Sequence, residues 1–324
     1  RSVARHNNMK VLPVAGSIKE MAISPNGKEV AYIVRGEVFV SSVESKMTKR
    51  ITNTPAQEQF VSFSPDGKAI MYSSERDAKW GIYQTKRVNE KEPYFFASTV
   101  LKEESVIVND NDNYQAEYSP DGKEIAFIEN KKTLRVYNLD KKKSHTIMTP
   151  KELYYMGDGD QYYQWSPDSK WLLVSFAPTM GNDEAVLVAA DGSKEMINMT
   201  QSGYGDYGPK WVNGGKQILW FSNRNGLRSH ANSGSKQMDV YSLFLTKDVW
   251  DKFHMSEGEY KLWKEISDKE KKDKEEKEKK DKKDSDKKDK KEDKKEEPKV
   301  KDLKFDWDGL QDRKERLTIH SSKL

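Results

Sequence analysis

Short runs with apolar residues at alternate positions recur along the chain, and each run follows the same polar phrase. The phrase is an apolar or aromatic residue, then Ser, Pro, Asp or Asn, Gly or Ser, and Lys. It occupies residues 23–28, 63–68, 118–123 and 165–170, with a divergent copy at 211–216. Pro fixes φ at about −65°, Asp or Asn hydrogen-bonds the backbone, and Gly supplies a positive φ. The phrase therefore predicts a tight turn between two antiparallel strands.

The apolar runs predict further strands in each repeat. The strand after each turn has its apolar residues on one face and covers 30–32, 70–72, 125–127, 172–174 and 218–220. A third strand follows at 38–40, 82–83, 136–137, 186–188 and 240–241. A short fourth strand that ends in Thr closes several repeats, at 51–52, 148–149, 199–200 and 317–318.

The spacing of the turns predicts the architecture. Ser24, Ser64, Ser119, Ser166 and Val212 are separated by 40, 55, 47 and 46 residues. Four short strands at a period of about 40–50 residues are typical of a β-propeller blade. A β-sandwich with coincidental turns is disfavoured, because the turns are in phase with the other strands. We predict an all-β propeller of four-stranded antiparallel blades, with about five to six blades visible of an expected seven.

The predicted blade units divide a single propeller domain, over 1–324, at 17–55, 57–98, 100–149, 160–200, 206–247 and 300–324. Two stretches interrupt them. Apolar residues at helical spacing, with Ser256 and Glu259 as a capping box, predict a helical insert over 248–266. Residues 267–299 contain almost only Lys, Glu and Asp and are expected to be disordered, or at most a solvated helix. Patterned sequence resumes after them, which makes the tract a loop within the domain.

Composition narrows the functional classes. The 57 basic and 53 acidic residues leave a net charge of +4, and no face is obviously basic, so nucleic acid is not an expected partner. The absence of Cys excludes disulfides, thiolate metal sites and a Cys nucleophile. No apolar run is long enough to span a bilayer. The chain begins with Arg and no signal peptide, which indicates a start within a longer gene product.

Several segments, in order, resemble the second, seven-bladed propeller of tricorn-type proteases. They are 17–19 before the first turn, Arg-Gly-Glu-Val-Phe at 35–39, 51–54, the turn at 63–68, 143–147, the charged insert, and Phe-Asp-Trp-Asp-Gly-Leu-Gln-Asp-Arg at 305–313. The turn phrase by itself is shared with TolB-like propellers. The resemblance covers nearly the whole chain.

The resemblance implies a parent protein with two propellers, a PDZ-like domain and a serine peptidase domain. In that family this propeller is thought to channel oligopeptides, and the catalytic residues lie in later domains. It therefore implies a non-catalytic domain that guides or gates oligopeptide substrates, with the PDZ-like and peptidase domains as partners and self-association left open. It implies a cytoplasmic location, and a periplasmic one stays open.

Two other interpretations stay open at this stage. The chain is alternatively a TolB-like propeller that binds a protein partner, or the propeller of a prolyl-oligopeptidase-type enzyme. The downstream gene sequence discriminates between the three interpretations. A PDZ-like segment followed by a peptidase domain supports the tricorn-type protein, and a stop codon supports the TolB-like propeller. A domain with a Gly-x-Ser-x-Gly motif supports the prolyl-oligopeptidase-type enzyme.

The residues predict no catalytic group, metal site or cofactor. The five His residues, at 6, 145, 230, 254 and 320, have no metal-ligand spacing, and no Gly-x-Ser-x-Gly motif is present. The oxygen-rich segment 109–113 resembles a calcium loop, but Tyr114 stands where Gly is required. We interpret it as a solvated loop between blades.

Tyr and Asp residues at the starts of two inner strands are the candidate substrate contacts. Asp158, Asp160 and Tyr162 precede one strand, and Tyr204 and Asp206 occupy the same place one blade later. His230 lies in a Gly/Ser/Asn-rich loop. These six residues are the predicted substrate-channel residues. The alternative is that they belong to flexible loops with packing tyrosines.

Too few blades are visible to close a seven-membered ring. Unclosed edges present unpaired backbone groups. We therefore expect self-association or a lack of order at 1–11 and 318–324. The alternative is a closed ring of fewer blades, in which 317–318 pair near the N-terminal unit.

Overall fold

Five four-stranded antiparallel sheets make up the described protein, which confirms the predicted all-β propeller class. The structure is a computed structural model that describes residues 13–14, 16–89, 91–152, 162–179, 182–229, 236–285 and 301–323. In every sheet the four strands are neighbours in chain order. This meander is the connectivity of a propeller blade.

The strand bounds follow the sequence repeats. The first sheet contains β1 (Glu20–Ile23), β2 (Glu29–Val34), β3 (Glu37–Ser42) and β4 (Thr48–Arg50). The second contains β5 (Gln57–Phe63), β6 (Ala69–Arg76), β7 (Lys79–Arg87) and β8 (Leu101–Ile107). The third contains β9 (Asn113–Tyr118), β10 (Glu124–Glu129), β11 (Thr133–Asn138) and β12 (Lys143–Met148). The fourth contains β13 (Tyr163–Trp165), β14 (Trp171–Thr179), β15 (Asn182–Ala189) and β16 (Ile197–Asn198). The fifth contains β17 (Asp206–Val212), β18 (Gln217–Ser222), β19 (Asp239–Phe244) and β20 (Lys314–Arg316).

The sheets are distributed over two compact units. The first unit comprises Arg1–Trp165, Ser169–Asp183 and Leu187–Ile197, and the second comprises Ser166–Asp168, Glu184–Val186 and Asn198–Leu324. In the first unit β1 contacts β5, and β5 contacts β9. The first strands of successive sheets therefore lie side by side, as the inner strands of propeller blades do.

Strand β6 shows why the blades of the first unit must stack. All residues from Ala69 to Ser74 are buried, so both faces of the strand are covered. Ile70 and Tyr72 pack in a cluster with residues of the first sheet, whereas Met71 packs with Ile125 and other residues of the third. Burying each large apolar side chain stabilises the fold by about 1.5–3 kcal/mol. One blade alone would leave one of these faces in water.

The repeated turn phrase has the predicted geometry. Gly67 and Gly122 have φ of 67° and 71°, which confirms the positive φ expected from the sequence. Ser64 Oγ donates to Asp66 Oδ1 at 2.6 Å and accepts the Ala69 N–H at 2.9 Å. Equivalent Ser–Asp or Ser–Asn bonds occur in the copies at Ser24, Ser119 and Ser166. The Ser of the phrase is therefore a structural residue of the turn.

The helical insert lies between the third and fourth strands of the fifth sheet. After β19 the chain forms α1 (Lys247–Phe253) and α2 (Glu257–Ser285), and α2 extends beyond the helix predicted over 248–266. Ser256 N–H donates to Glu259 Oε2 at 2.8 Å and Glu259 N–H to Ser256 Oγ at 3.4 Å, which confirms the capping box. Residues 286–299 of the tract predicted to be disordered are outside the described ranges. Neither described helix is apolar over a length that would cross a membrane.

The segment after the insert completes the fifth sheet, although the sequence predicted a separate unit over 300–324. Strand β20 pairs with β19, with Tyr241 opposite Arg316. The Leu317 N–H donates to the Val240 carbonyl at 2.8 Å, so 317–318 follow this sheet. Met238 and Ser322 then exchange backbone hydrogen bonds of 2.7 and 3.1 Å, which orders a segment for which disorder was one expectation.

Candidate functional site

The six predicted substrate-channel residues fall into three groups. Asp158, Asp160 and His230 lie outside the described residues. Tyr162 directly precedes β13 in the first unit. Tyr204 and Asp206 lie at the start of β17 in the second unit.

Asp206 is fully buried rather than exposed to a passing ligand. Its carboxylate accepts the Ser202 hydroxyl at 2.5 Å. Burial raises the pKa of Asp206, and the nearby carboxylate of Glu184 raises it further. Ser202 links the two acids, because its N–H donates to Glu184 at 3.2 Å.

The same arrangement recurs in the first unit, around Glu58. This buried carboxylate accepts the hydroxyls of Thr54 at 2.9 Å and Ser74 at 3.0 Å. Burial is again the main cause that raises the pKa of Glu58, and Glu37 contributes. Because the arrangement repeats with the blades, it indicates a structural role for Asp206.

Each of these clusters adjoins a three-part contact that we call the acid–threonine clasp. In it, a threonine hydroxyl donates to an acidic side chain and accepts the N–H of the residue that follows the acid. Thr52 makes this contact with Glu37 and Val38, and Thr200 makes it with Glu184 and Ala185. The clasp fastens the end of the fourth strand to the third and explains the Thr at the ends of these repeats, whereas Thr149 bonds Glu152 instead.

A third clasp closes the fifth sheet across the helical insert. Thr318 Oγ1 donates to Asp239 Oδ1 at 2.7 Å and accepts the Val240 N–H at 3.3 Å. Asp239 is fully buried, which alone raises its pKa. The bonds from Thr318, Ser321 and Arg316 outweigh that effect and hold the pKa of Asp239 below its ordinary value. The insert is therefore bracketed by a clasp that holds its two ends together.

Tyr204 lies beside two arginines that the sequence did not single out. The guanidinium carbon of Arg228 is 4.8 Å and that of Arg224 5.5 Å from the centroid of its ring. Both arginines are exposed. Cation–π contacts at exposed sites contribute about 0.5–1 kcal/mol each. They give the loop after β18 a basic surface next to a predicted contact residue.

Tyr162 belongs to a different cluster, which is centred on Glu117 of β9. The Glu117 carboxylate is half-buried and interacts electrostatically with Tyr162 and Tyr163. Burial raises the pKa of Glu117 to about 7. Burial and the nearby Glu117 also raise the pKa of Tyr162 to about 12. With these shifts Glu117 titrates near neutral pH, while the two phenols stay un-ionised there.

The backbone around Glu117 is fixed by its neighbours. The Trp165 Nε1–H donates to the Glu117 carbonyl at 3.1 Å, and the Tyr163 hydroxyl donates to the carbonyls of Gln115 and Ala126. A β-bulge two residues earlier gives Gln115 a φ of 50° and shifts the register with β10. Strands β5 and β17 have register shifts at the corresponding place, so the bulge is a repeated feature of the blades.

The sequence contained a signal for Glu117, because it precedes the aromatic residue of the turn phrase. The residues at this place in the other repeats are Ala22, Ser62, Gln164 and Lys210. Among the five repeats, the third is the one with an acidic residue at this position. Several side-chain atoms of the inner strands of this unit are buried and have no hydrogen-bond partner in the described structure, among them Ser62 Oγ, Gln115 Oε1 and Asn113 Oδ1.

The polar side chains of the oxygen-rich segment 109–113 form ion pairs and hydrogen bonds within the protein. Asp110 pairs with Lys79 at 3.0 Å, and Asp112 accepts the Trp80 N–H at 3.1 Å. Asn109 Oδ1 accepts two hydrogen bonds from the segment itself. Within the described ranges, no group of three or more His, Cys, Asp or Glu residues is placed to hold a metal.

Comparison with solved structures shows the fold. The crystal structure of the tricorn protease matches with a TM-score of 0.60 and 11% identity, covering 94% of this chain and 25% of that one. Oligogalacturonate lyase in complex with manganese matches with a TM-score of 0.51 and 13% identity, covering 69% and 61%. Putative TolB from Agrobacterium tumefaciens matches with a TM-score of 0.49 and 18% identity, covering 70% and 76%. The chain thus spans a quarter of the length of the tricorn protease.

Comparison with protein-family models shows the family to which the chain belongs. No curated protein matches the sequence. The family model of the dipeptidyl peptidase IV (DPP IV) N-terminal region matches residues 2–274, which is most of the chain. The chain therefore belongs to the family of the dipeptidyl peptidase IV N-terminal region.

Proposed function

We propose that this chain is the non-catalytic propeller of a tricorn-like serine peptidase and guides oligopeptides toward a peptidase domain outside it. The family is named for the N-terminal region of a peptidase. The match to the tricorn protease covers 94% of this chain but a quarter of that one, as a domain of a larger enzyme would. Both findings support the proposal that this chain is one part of a peptidase.

The non-catalytic character is supported by how hydroxyl and imidazole groups are used. The Ser residues of the turn phrase donate to the Asp or Asn two positions later. The rings of His145 and His254 bond to the backbone carbonyls of Ala190 and Trp250. A serine nucleophile needs a base within hydrogen-bond reach. The hydroxyl and imidazole groups named here form hydrogen bonds that support the fold instead.

The observation that carries the guiding role is the polar character of the inner strands of the first unit. Glu117, Ser62 Oγ and Gln115 Oε1 lie on β9 and β5, and the two buried atoms lack described partners. A buried polar atom without a partner costs about 1–3 kcal/mol. An extended peptide carries an N–H and a carbonyl at nearly every residue. Such a ligand would donate to the half-buried Glu117 carboxylate, whereas Ser62 Oγ and Gln115 Oε1 are covered by the protein.

The test measures binding and cleavage together. The full 324-residue chain is titrated with fluorescein-labelled peptides of mixed sequence, and the peptides are then analysed by mass spectrometry. We expect saturable binding and intact peptides. Absence of binding would contradict the guiding role. Turnover that survives repurification and disappears on substitution of one Ser or His of this chain would contradict the non-catalytic one.

An exposed apolar stripe on α2 favours a second function, protein docking. Leu262 and Ile266 are one helical turn apart and 60% and 50% exposed. Trp263 lies beside them, with Lys252 Nζ 3.7 Å from the centroid of its ring. Leu262→Glu with Ile266→Glu is expected to abolish docking of a separately expressed peptidase domain of the same gene product. Unchanged docking would argue against this function.

A further inference from the structure

Glu117 differs from the other buried or half-buried acids in what its carboxylate contacts. Many of these acids accept hydrogen bonds from groups of the protein. Examples are Glu29 with Phe95 N–H, Glu124 with Asn138, Glu129 with Arg135, Glu184 with Gly203 N–H, and Asp239 with Arg316. In the part of the chain that the structure describes, the Glu117 carboxylate has no hydrogen-bond donor and no cation. Burial alone accounts for the change in its pKa.

The surroundings of Glu117 combine a charge with aromatic walls. Tyr162 and Tyr163 of the next blade lie within electrostatic range of its carboxylate. The Tyr163 hydroxyl and the Trp165 indole N–H are bonded to backbone carbonyls. With their polar atoms used in these bonds, the two side chains contribute aromatic surface to the surroundings of Glu117, while its carboxylate is an acceptor without a described donor.

A half-buried carboxylate with aromatic neighbours fits a basic side chain. The methylene stem of Lys or Arg packs on apolar and aromatic surface, and its charged head reaches the carboxylate. A hydrogen bond between charged partners is about twice as strong as a neutral one. A peptide α-amino group has a pKa of about 8 and no stem, so it uses less of this surface.

We propose that Glu117 selects peptides with a Lys or Arg side chain, which it binds through its carboxylate against Tyr162 and Tyr163. This inference rests on the proposed guiding function and names the substrate class of the same inner surface. The carboxylate then gains the cation that the described protein does not provide.

Three short peptides test the assignment on the full chain by isothermal titration calorimetry. The first is acetyl-Ala-Ala-Lys-Ala-Ala-amide. The second replaces Lys by norleucine, which keeps the stem and removes the ammonium group. The third is the norleucine peptide with a free N-terminus. Glu117→Gln removes the charge and keeps the shape, and Glu75→Gln, at an exposed position of β6, is the matched control.

We expect the natural chain to bind the Lys peptide about tenfold more tightly than the norleucine peptide, as a charged hydrogen bond of about 1.5 kcal/mol implies. Glu117→Gln should remove this preference, and Glu75→Gln should keep it. Equal affinity for the Lys and norleucine peptides would overturn the inference but leave the guiding function. An equal gain from the free N-terminus would overturn the choice of a side chain. Absence of binding by all three would overturn both proposals.

Discussion

Replacing Glu117 by Gln should change how the stability of the protein depends on pH. Burial raises the pKa of this acid from 4.5 to about 7 in the folded chain. The folded state therefore holds the proton more tightly than the unfolded state does. The stabilisation by the protonated form is fully present below pH 4.5, and it is lost as the pH rises through about 7. Gln copies the protonated form at every pH.

The magnitude follows from the two pKa values. Each unit of difference corresponds to about 1.4 kcal/mol. Between pH 5 and pH 8, ionisation of Glu117 should lower the free energy of unfolding by about 2.5 kcal/mol relative to the Gln variant. Urea unfolding, followed by tryptophan fluorescence at each pH, measures both proteins. The difference between them cancels the titration of the other groups.

Two results would refute this reasoning. Parallel stability curves for the two proteins would mean that Glu117 has an ordinary pKa in the folded state. A wild-type protein that gains stability relative to the variant as the pH rises would mean that a cation pairs with the carboxylate. Saturation with the Lys peptide should move the curve in that same direction, because a bound ammonium group favours the ionised acid.

Three further predictions concern the fold. Gly67→Val should destabilise the protein by about 1–3 kcal/mol in urea unfolding, because Gly67 has a φ of 67°; Ser169→Gly, at a φ of 60°, is the control that should not destabilise beyond its lost hydrogen bond. Thr318→Val should cost about 1–3 kcal/mol, because Asp239 loses a donor. Trypsin at low dose should cut the exposed Lys residues of α2, yet both fragments should elute together in gel filtration, because β20 stays paired with β19.

Each of these predictions has a contrary outcome. An unchanged midpoint for Gly67→Val would mean that the turn tolerates a side chain at a left-handed φ. An unchanged stability for Thr318→Val would mean that the third clasp contributes nothing. Separation of the tryptic fragments would mean that β20 does not hold the segment after the insert.

The sequence by itself determined the blade class, because its signals are local. Turn residues fix backbone angles within four positions, and strand alternation has a period of two. The Ser-Pro-Asp-Gly-Lys phrase therefore located the first two strands of each blade, and the capping box located the start of α2. The Thr residues at the ends of several repeats were also visible, although their purpose was not.

Only the tertiary structure decided the roles of the acids, because partners come from distant parts of the chain. Asp206 looked like a substrate contact but is buried in a cluster that Glu58 repeats. The sequence alone did not show that Tyr162 and Tyr163, at the start of β13, lie near Glu117 of β9. Thr318 met Asp239 across 79 residues that include the insert, so the segment after the insert joined the fifth sheet. Burial and long-range hydrogen bonding set these roles, and neither has a period that a sequence pattern can show.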